Sequence, residues 1–184
     1  MSSTNYWRAV QLSDLDNKIL HMSKEKNQLT IEESIKKGRA AEELVKDMFE
    51  ESGRFSVYDF GYGVVLPELA RRQKHKDNPD GITGMRKIRS MPDLIMIDEI
   101  RRQGILAEVK HYKKYTPQAA LREAKKYAAH WPEAYLLFIA EDGIRMELVS
   151  NIIKRKGEKM SKLSKNWIPL ELQSTYMERL RLLK

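Results

Sequence analysis

The chain has 184 residues, which predicts one domain, and its formal net charge of +8 indicates a polyanionic partner such as nucleic acid. It contains no cysteine, which excludes disulfide scaffolds, thiolate zinc sites, iron–sulfur clusters and cysteine nucleophiles. Its first residues lack the apolar stretch of a signal peptide, and no apolar run is long enough to span a membrane, so we expect an intracellular protein without a membrane partner.

The first half of the chain predicts a helix, a strand and a long insertion. Thr30 caps a helix that runs to about Ser52, and Glu33 completes the capping box. The next segment, FSVYDF (55–60), predicts a strand because it is aromatic and β-branched. Residues 61–91 then form a basic insertion rich in glycine and proline, and loops of this length are usually functional.

The second half predicts strands that alternate with helices. The segments DLIMID (93–98) and GILAEVK (104–110) predict two strands joined by a polar turn. A helix is predicted over residues 117–130. The segment AYLLFIA (134–140) predicts a further strand, which the Asp142-Gly143 turn joins to its partner.

Together these elements predict an α/β fold in which helices flank a central mixed β-sheet. The predicted core covers about residues 30–150. An N-terminal extension (1–29) precedes the core, and a basic linker with a short helix from about Ser174 follows it (151–184). We therefore expect a single domain with appendages at both ends.

Three charged residues in the first strand pair are the strongest chemical signal. With a turn centred near residues 100–101, Asp93 and Glu108 lie opposite each other on one face of the sheet, about 5 Å apart. Lys110 lies two residues beyond Glu108 and so points to the same face. Because the flanking residues are apolar, these charges are costly unless they are paired or bind a metal. A buried ion pair between Lys110 and a carboxylate would also account for them.

The apolar stripe of the first helix includes one acid, Glu42. The other positions of this stripe are Ile31, Ile35, Gly38, Val45 and Phe49. The spacing predicts that Glu42 points into the core, whereas a slight rotation of the helix would leave it at the edge of the buried face. The inward orientation adds a third carboxylate to the two on the strand pair.

Three converging carboxylates beside one lysine, in a basic domain, favour metal-dependent hydrolysis of a phosphodiester. Hard oxygen ligands select Mg²⁺ or Mn²⁺, and we expect Glu42, Asp93 and Glu108 to hold that metal. Lys110 would orient the attacking water or neutralise the negative charge that develops on the phosphate.

These residues resemble a known family, the PD-(D/E)XK nuclease superfamily. Pro92-Asp93 is similar to its PD element, and Glu108-Val109-Lys110 is similar to its (D/E)XK element. KGRAAE (37–42) resembles the Lys-Gly-x-x-x-Glu helix of archaeal Holliday junction resolvases, and Gln118 resembles a glutamine that follows the (D/E)XK strand in many members. The resemblance covers about residues 30–140. It implies a restriction-endonuclease-like core and a homodimer with two active sites that acts on branched DNA.

Basic residues near the predicted site are candidates for contacts with the DNA backbone. The insertion, which runs directly into Asp93, contributes Arg71, Arg72, Lys74, Lys76, Arg86, Lys87 and Arg89. Lys113 and Lys114 follow the (D/E)XK strand, and for these two an ordinary solvated surface explains the charge equally well. His111 alternates to the face opposite Lys110, and we expect it to be structural or to make a minor phosphate contact.

Two other functions stay open at this point. The protein could be a different nuclease of the same superfamily, which would cut linear or single-stranded DNA as readily as four-way junctions. It could also be a DNA-binding or assembly protein on the same scaffold that has lost catalytic activity. The presence of all four motif residues argues against that loss.

Overall fold

The structure is a computed structural model that describes residues 32–33, 35–68 and 85–182. The chain divides into two compact units, residues 1–39 and 40–184. In the first unit every described residue is helical, and the predicted cap at Thr30 lies outside the described ranges. The second unit contains a five-stranded sheet with its helices and carries all four motif residues.

The second unit alternates strands and helices, as the sequence predicts. In chain order its elements are α1 (residues 40–51 in this unit), β1 (Phe55–Asp59), α2 (Tyr62–Val65), α3 (Met85–Arg89), β2 (Leu94–Asp98), β3 (Gln103–His111), α4 (Pro117–Tyr127), β4 (Tyr135–Ala140), β5 (Gly143–Leu148), α5 (Val149–Lys154) and α6 (Leu170–Arg181). The strand order is β1-β2-β3-β4-β5; β3 and β4 are parallel, and the other neighbouring pairs are antiparallel. The predicted α/β class and mixed sheet are therefore confirmed.

The sheet separates two hydrophobic cores. One face, which includes Val57, Met96 and Val109, packs against α1 and α6. The opposite face, which includes Leu136 and Phe138, packs against α4 and α5. Because side chains alternate between faces along a strand, the even-numbered residues of β3 lie on the side of α4. This alternation directs Glu108 and Lys110 toward α4.

The register of β2 and β3 is the one predicted from the position of their turn. Leu94 pairs with Ala107, and Asp98 pairs with Gln103. The next position along this register places Asp93 opposite Glu108.

The insertion predicted over residues 61–91 is helical at both ends, where α2 and α3 lie. Residues 69–84 fall outside the described ranges. Trp131 contacts α3: its Nε1 donates a hydrogen bond to Lys87 O at 3.3 Å, and Lys87 Nζ lies 5.4 Å from the centroid of its ring. The second end of the insertion is therefore attached to the turn after α4.

Two helices have ends that differ from the predicted ones. α4 ends at Tyr127 rather than at residue 130, because the N–H groups of His130 and Trp131 both donate to Tyr127 O, at 3.0 and 2.7 Å, and close a turn. α6 begins at Leu170, earlier than predicted, directly after Pro169, whose φ of −53° already suits a helix.

The basic segment after α5, predicted as a linker, pairs with the outer edge of the sheet. Met146 N donates to Ser161 O at 3.1 Å, and Leu163 N donates to Ile144 O at 2.9 Å. An edge strand presents a row of backbone groups to solvent, and residues 161–163 cover part of that row on β5. The sequence predicted only a basic linker here, because a short stretch of backbone pairing leaves no periodic pattern.

Gly157 lies tightly against the start of α4. Its φ is +79°, and a Cβ atom at this position would lie 2.5 Å from Pro117 O and 2.8 Å from Leu121 Cβ. Only a residue without a side chain fits this conformation and this space. The segment after α5 and the first turn of α4 are therefore in direct contact.

None of the helices in the described ranges is long and apolar enough to cross a membrane.

Candidate active site

A cavity of about 320 Å³ lies at the start of β2. Glu42 from α1, Asp93 immediately before β2, and Glu108 from β3 all line it. Asp59 and Arg89 are the other charged residues among the described part of its lining, so acids outnumber bases. The structure thus brings all three predicted carboxylates to one cavity.

Asp93 is fixed through both its side chain and its backbone. Its Oδ2 accepts a hydrogen bond of 2.9 Å from Val109 N of β3. Its carbonyl oxygen accepts from Phe60 N at 2.8 Å and from Gly61 N at 3.1 Å. These contacts connect the Asp93 carboxylate to β3 and connect the segment after β1 to Asp93.

Glu108 is the buried centre of the site, with a relative exposure of 2%. Its Oε1 accepts hydrogen bonds from Lys110 Nζ and from the hydroxyl of Tyr127 in α4. Its Oε2 is buried and has no hydrogen-bond partner in the described part of the chain. Lys110 Nζ also lies 4.0 Å from Asp93 Oδ2, so one ammonium group serves both carboxylates.

Burial changes the proton affinities of this cluster. Burial, together with the charge of Asp93, raises the pKa of Glu108 to about 7, although Lys110 and Tyr127 oppose the shift. Burial lowers the pKa of Lys110, but the charges of Glu108 and Asp93 outweigh it and raise that pKa. Burial also raises the pKa of Tyr127, so its hydroxyl group keeps its proton and donates a hydrogen bond to the carboxylate. The site therefore holds a charged lysine beside a glutamate that titrates near neutral pH.

The titration of Glu108 predicts how stability depends on pH. The folded chain binds this proton more tightly than the unfolded chain, with a pKa of about 7 against 4.5, so stability falls as pH rises through this window. Glu108→Gln cannot ionise and avoids the loss. We expect its stability relative to the parent to rise by about 2 kcal/mol between about pH 5 and about pH 8.5, measured by denaturant unfolding without divalent cations.

Asp59→Asn is the control for this prediction, because Asp59 lines the same cavity but is exposed and paired with Lys46 at 3.0 Å. An exposed pair contributes little, so this variant should stay within about 0.5 kcal/mol of the parent at both pH values. A parent protein and a Glu108→Gln variant that lose stability equally with pH would contradict the assignment.

Glu42 lies at the edge of the buried face of α1, which is the second of the two orientations that the sequence leaves open. Ala41, Val45, Met48 and Phe49 are the buried residues of this helix, whereas Glu42 is half-buried. The helix is rotated slightly because its buried face follows these four side chains into the core. At this edge Glu42 still lines the cavity.

The donor atoms of the cavity fit a hard divalent cation in their chemistry. A buried carboxylate oxygen without a partner, Glu108 Oε2, lies in the same cavity as Asp93, and Mg²⁺ prefers such oxygens. In the described ranges, however, no three acidic or histidine side chains form a group that could hold a metal ion. Asp93 and Glu108 both form ion pairs with Lys110. Glu42 lines the cavity but does not complete a group of three metal ligands with them.

Of the other predicted residues, one lines the cavity, several lie away from it, and the rest fall outside the ranges that the structure describes. Gln118 is an exposed residue of the first turn of α4 and does not line the cavity. Arg89 lines it. The exposed predicted residues away from it are Lys87, His111, Lys113 and Lys114. The predicted residues outside the described ranges are Arg71, Arg72, Lys74 and Lys76, and the side chain of Arg86 is also outside the description.

Sequence reasoning missed two tyrosines of the site. Tyr127 is buried on the apolar face of α4, as its position indicates, but its hydroxyl group reaches Glu108. A single tyrosine among alanines on that face was the available signal. Tyr62 lines the cavity from α2, and its hydroxyl is buried without a hydrogen-bond partner in the described part of the chain. Nothing in the composition of the insertion distinguished Tyr62.

Comparison of the chain with protein-family models, with curated proteins and with solved structures finds no significant match in any of the three.

Proposed function

We propose that this protein is a metal-dependent endonuclease that hydrolyses phosphodiester bonds in DNA, on a restriction-endonuclease-like core. The main support for this proposal is the environment of Glu108. This carboxylate is buried, keeps one oxygen without a partner, and lies beside Asp93 and Lys110 at a cavity. A structural ion pair has no need of an unpartnered oxygen or of a cavity beside it.

The charge of the cavity explains why a metal is needed. Four acids and one arginine are the charged residues of its described lining, so the bare cavity repels a phosphate group. Asp93 and Glu108, with Glu42 nearby, would hold Mg²⁺ or Mn²⁺, whose charge would offset much of this repulsion. Such an ion would activate a water molecule for attack and stabilise negative charge on the phosphate.

The protein's own residues have separate roles in this proposal. Val109 N orients Asp93, and Tyr127 fixes one oxygen of Glu108, which leaves the other oxygen without a hydrogen-bond partner in the described part of the chain. Lys110 keeps its positive charge between the two carboxylates, where it can orient the attacking water and donate to a phosphate oxygen that gains charge. Exposed lysines beyond the cavity, including Lys87 and Lys113, contact the DNA backbone.

Cleavage of a labelled four-way DNA junction tests the proposal, with linear duplex and single strand as competing substrates. The reaction is run with Mg²⁺ and then with Mn²⁺. We expect paired symmetric nicks in the junction, as the resemblance to junction resolvases implies. Asp93→Asn should abolish cleavage and leave DNA binding intact, because asparagine keeps an acceptor for Val109 N but loses the charge. Asp59→Asn removes an exposed acid of the same cavity and should still cut.

Each other outcome selects one of the alternatives. Cutting of all three substrates would retain the nuclease and reject the preference for branched DNA. Metal-independent DNA binding without any cleavage would reject the nuclease and favour an inactive scaffold. Metal-dependent cleavage that survives in Asp93→Asn would reject the assigned site.

A further inference from the structure

Tyr62 lines the same cavity, and its hydroxyl group is a second buried polar atom without a hydrogen-bond partner among the described residues. The residue as a whole is half-exposed, but Tyr62 Oη is buried and accepts or donates no hydrogen bond in the described part of the chain. The other such atom in the cavity lining is Glu108 Oε2. A buried hydroxyl without a partner is unfavourable, so a group that enters the cavity is the natural partner for it.

The backbone places Tyr62 close to Asp93. Phe60 N and Gly61 N both donate to Asp93 O, at 2.8 and 3.1 Å, and Tyr62 is the next residue. Position 61 is packed against Asp93, because a Cβ atom there would lie 3.8 Å from Asp93 Cα and 3.9 Å from its Oδ1. The backbone that leads into Tyr62 is therefore held against Asp93.

The chemistry of the two unpartnered atoms is complementary to a cation with its bound anion. A carboxylate oxygen attracts a cation, whereas a phenol is a neutral donor that binds an anionic oxygen. We infer that Tyr62 Oη donates a hydrogen bond to a non-bridging oxygen of a phosphate group held in this cavity. The inference rests on the proposed function for the identity of that phosphate as part of the DNA backbone. It makes Tyr62 a substrate-contacting residue that no sequence motif identified.

Binding of inorganic phosphate in the presence of Mg²⁺ tests the contact without any cleavage. Tyr62→Phe should weaken phosphate binding about tenfold in a calorimetric titration, since it loses a hydrogen bond to a charged group. Its melting temperature should not fall, because the hydroxyl group has no partner in the described part of the chain. Tyr58→Phe is the matched control: Tyr58 is exposed and does not line the cavity, so phosphate affinity should not change.

DNA cleavage gives a second, separate measurement. A sulfur atom in place of the contacted phosphate oxygen accepts hydrogen bonds poorly, so this substitution should slow the parent enzyme more than it slows Tyr62→Phe. Equal slowing of both proteins would overturn the inference. So would an equal phosphate affinity of parent and Tyr62→Phe, or a parent that binds no phosphate.

The two proposals fail in different ways. A parent that binds phosphate through Tyr62 but cuts no DNA would support the inference and reject the nuclease. A parent that cuts DNA while Tyr62→Phe matches it in phosphate binding would support the nuclease and reject the inference. A Tyr62→Phe variant that is less stable but binds phosphate normally would show that the tyrosine is structural.

Discussion

Replacing Lys110 with methionine should slow DNA cleavage at saturating substrate by about a thousandfold. Methionine keeps the length and the apolar stem of the side chain but removes the ammonium group that contacts Glu108 Oε1 and lies 4.0 Å from Asp93 Oδ2. Without this charge, the attacking water and the phosphate in the transition state lose the cation that lies between Glu108 and Asp93. Single-turnover cleavage of the preferred substrate measures the loss.

The same variant should bind Mg²⁺ more tightly. Lys110 competes with a divalent cation because both are attracted to Glu108 and Asp93. Loss of the lysine leaves two carboxylates without their resident cation, so we expect Mg²⁺ affinity to rise about tenfold in a calorimetric titration. A slower enzyme with a stronger metal site is a combination that simple unfolding cannot produce.

Lys113→Met is the control, because Lys113 is exposed three residues further along the chain. It should weaken DNA binding in a salt-dependent way, by about one released counterion, and leave the saturated cleavage rate unchanged. If Lys110→Met cut DNA at the parent rate and lost only stability, Lys110 would be the structural partner of a buried acid and nothing more.

Gly157→Ala should destabilise the protein by about 4 kcal/mol, a large loss for a single added methyl group. The added carbon would lie 2.5 Å from Pro117 O, which is backbone and cannot rotate away, and the φ of +79° is unfavourable for alanine. The start of α4 must move to relieve the overlap. Denaturant unfolding gives the change in free energy.

Comparison with Gly53→Ala separates the cost of a positive φ from the cost of the steric overlap at position 157. Gly53 also has a positive φ, +67°, but nothing lies within 4 Å of a Cβ atom at this position. It should therefore cost only about 1 kcal/mol, the price of the left-handed conformation alone. An equal loss of unfolding free energy in the two variants would show that α4 moves away from the added methyl group at no energetic cost.

The strand pair that carries the chemistry could be predicted from sequence because its signals are local. Alternation along each strand and the position of the turn fixed the register, and with it the meeting of Asp93, Glu108 and Lys110. Runs of apolar residues were sufficient to identify these two segments as strands. The pairing of acids across two strands was therefore visible before any tertiary contact was known.

The rest of the site depends on tertiary packing, which leaves no local pattern. The rotation of α1 that moves Glu42 to the edge of its buried face is set by how the whole helix fits its core. The hydrogen bond from Tyr127 to Glu108 depends on where α4 crosses β3. Tyr62 reaches the cavity because backbone bonds to Asp93 turn the chain there, inside a segment whose composition predicted only a loop.

The pairing of residues 161–163 with β5 also affects whether copies of this protein can associate through their sheets. A bare outer strand offers its peptide groups to any second chain, and sheets joined in this way grow into aggregates. Here the chain returns after α5 and occupies part of that edge itself. The most basic stretch of the C-terminal region therefore does more than carry charge, because it leads into a segment that covers part of the β5 edge and hinders a second chain from pairing there.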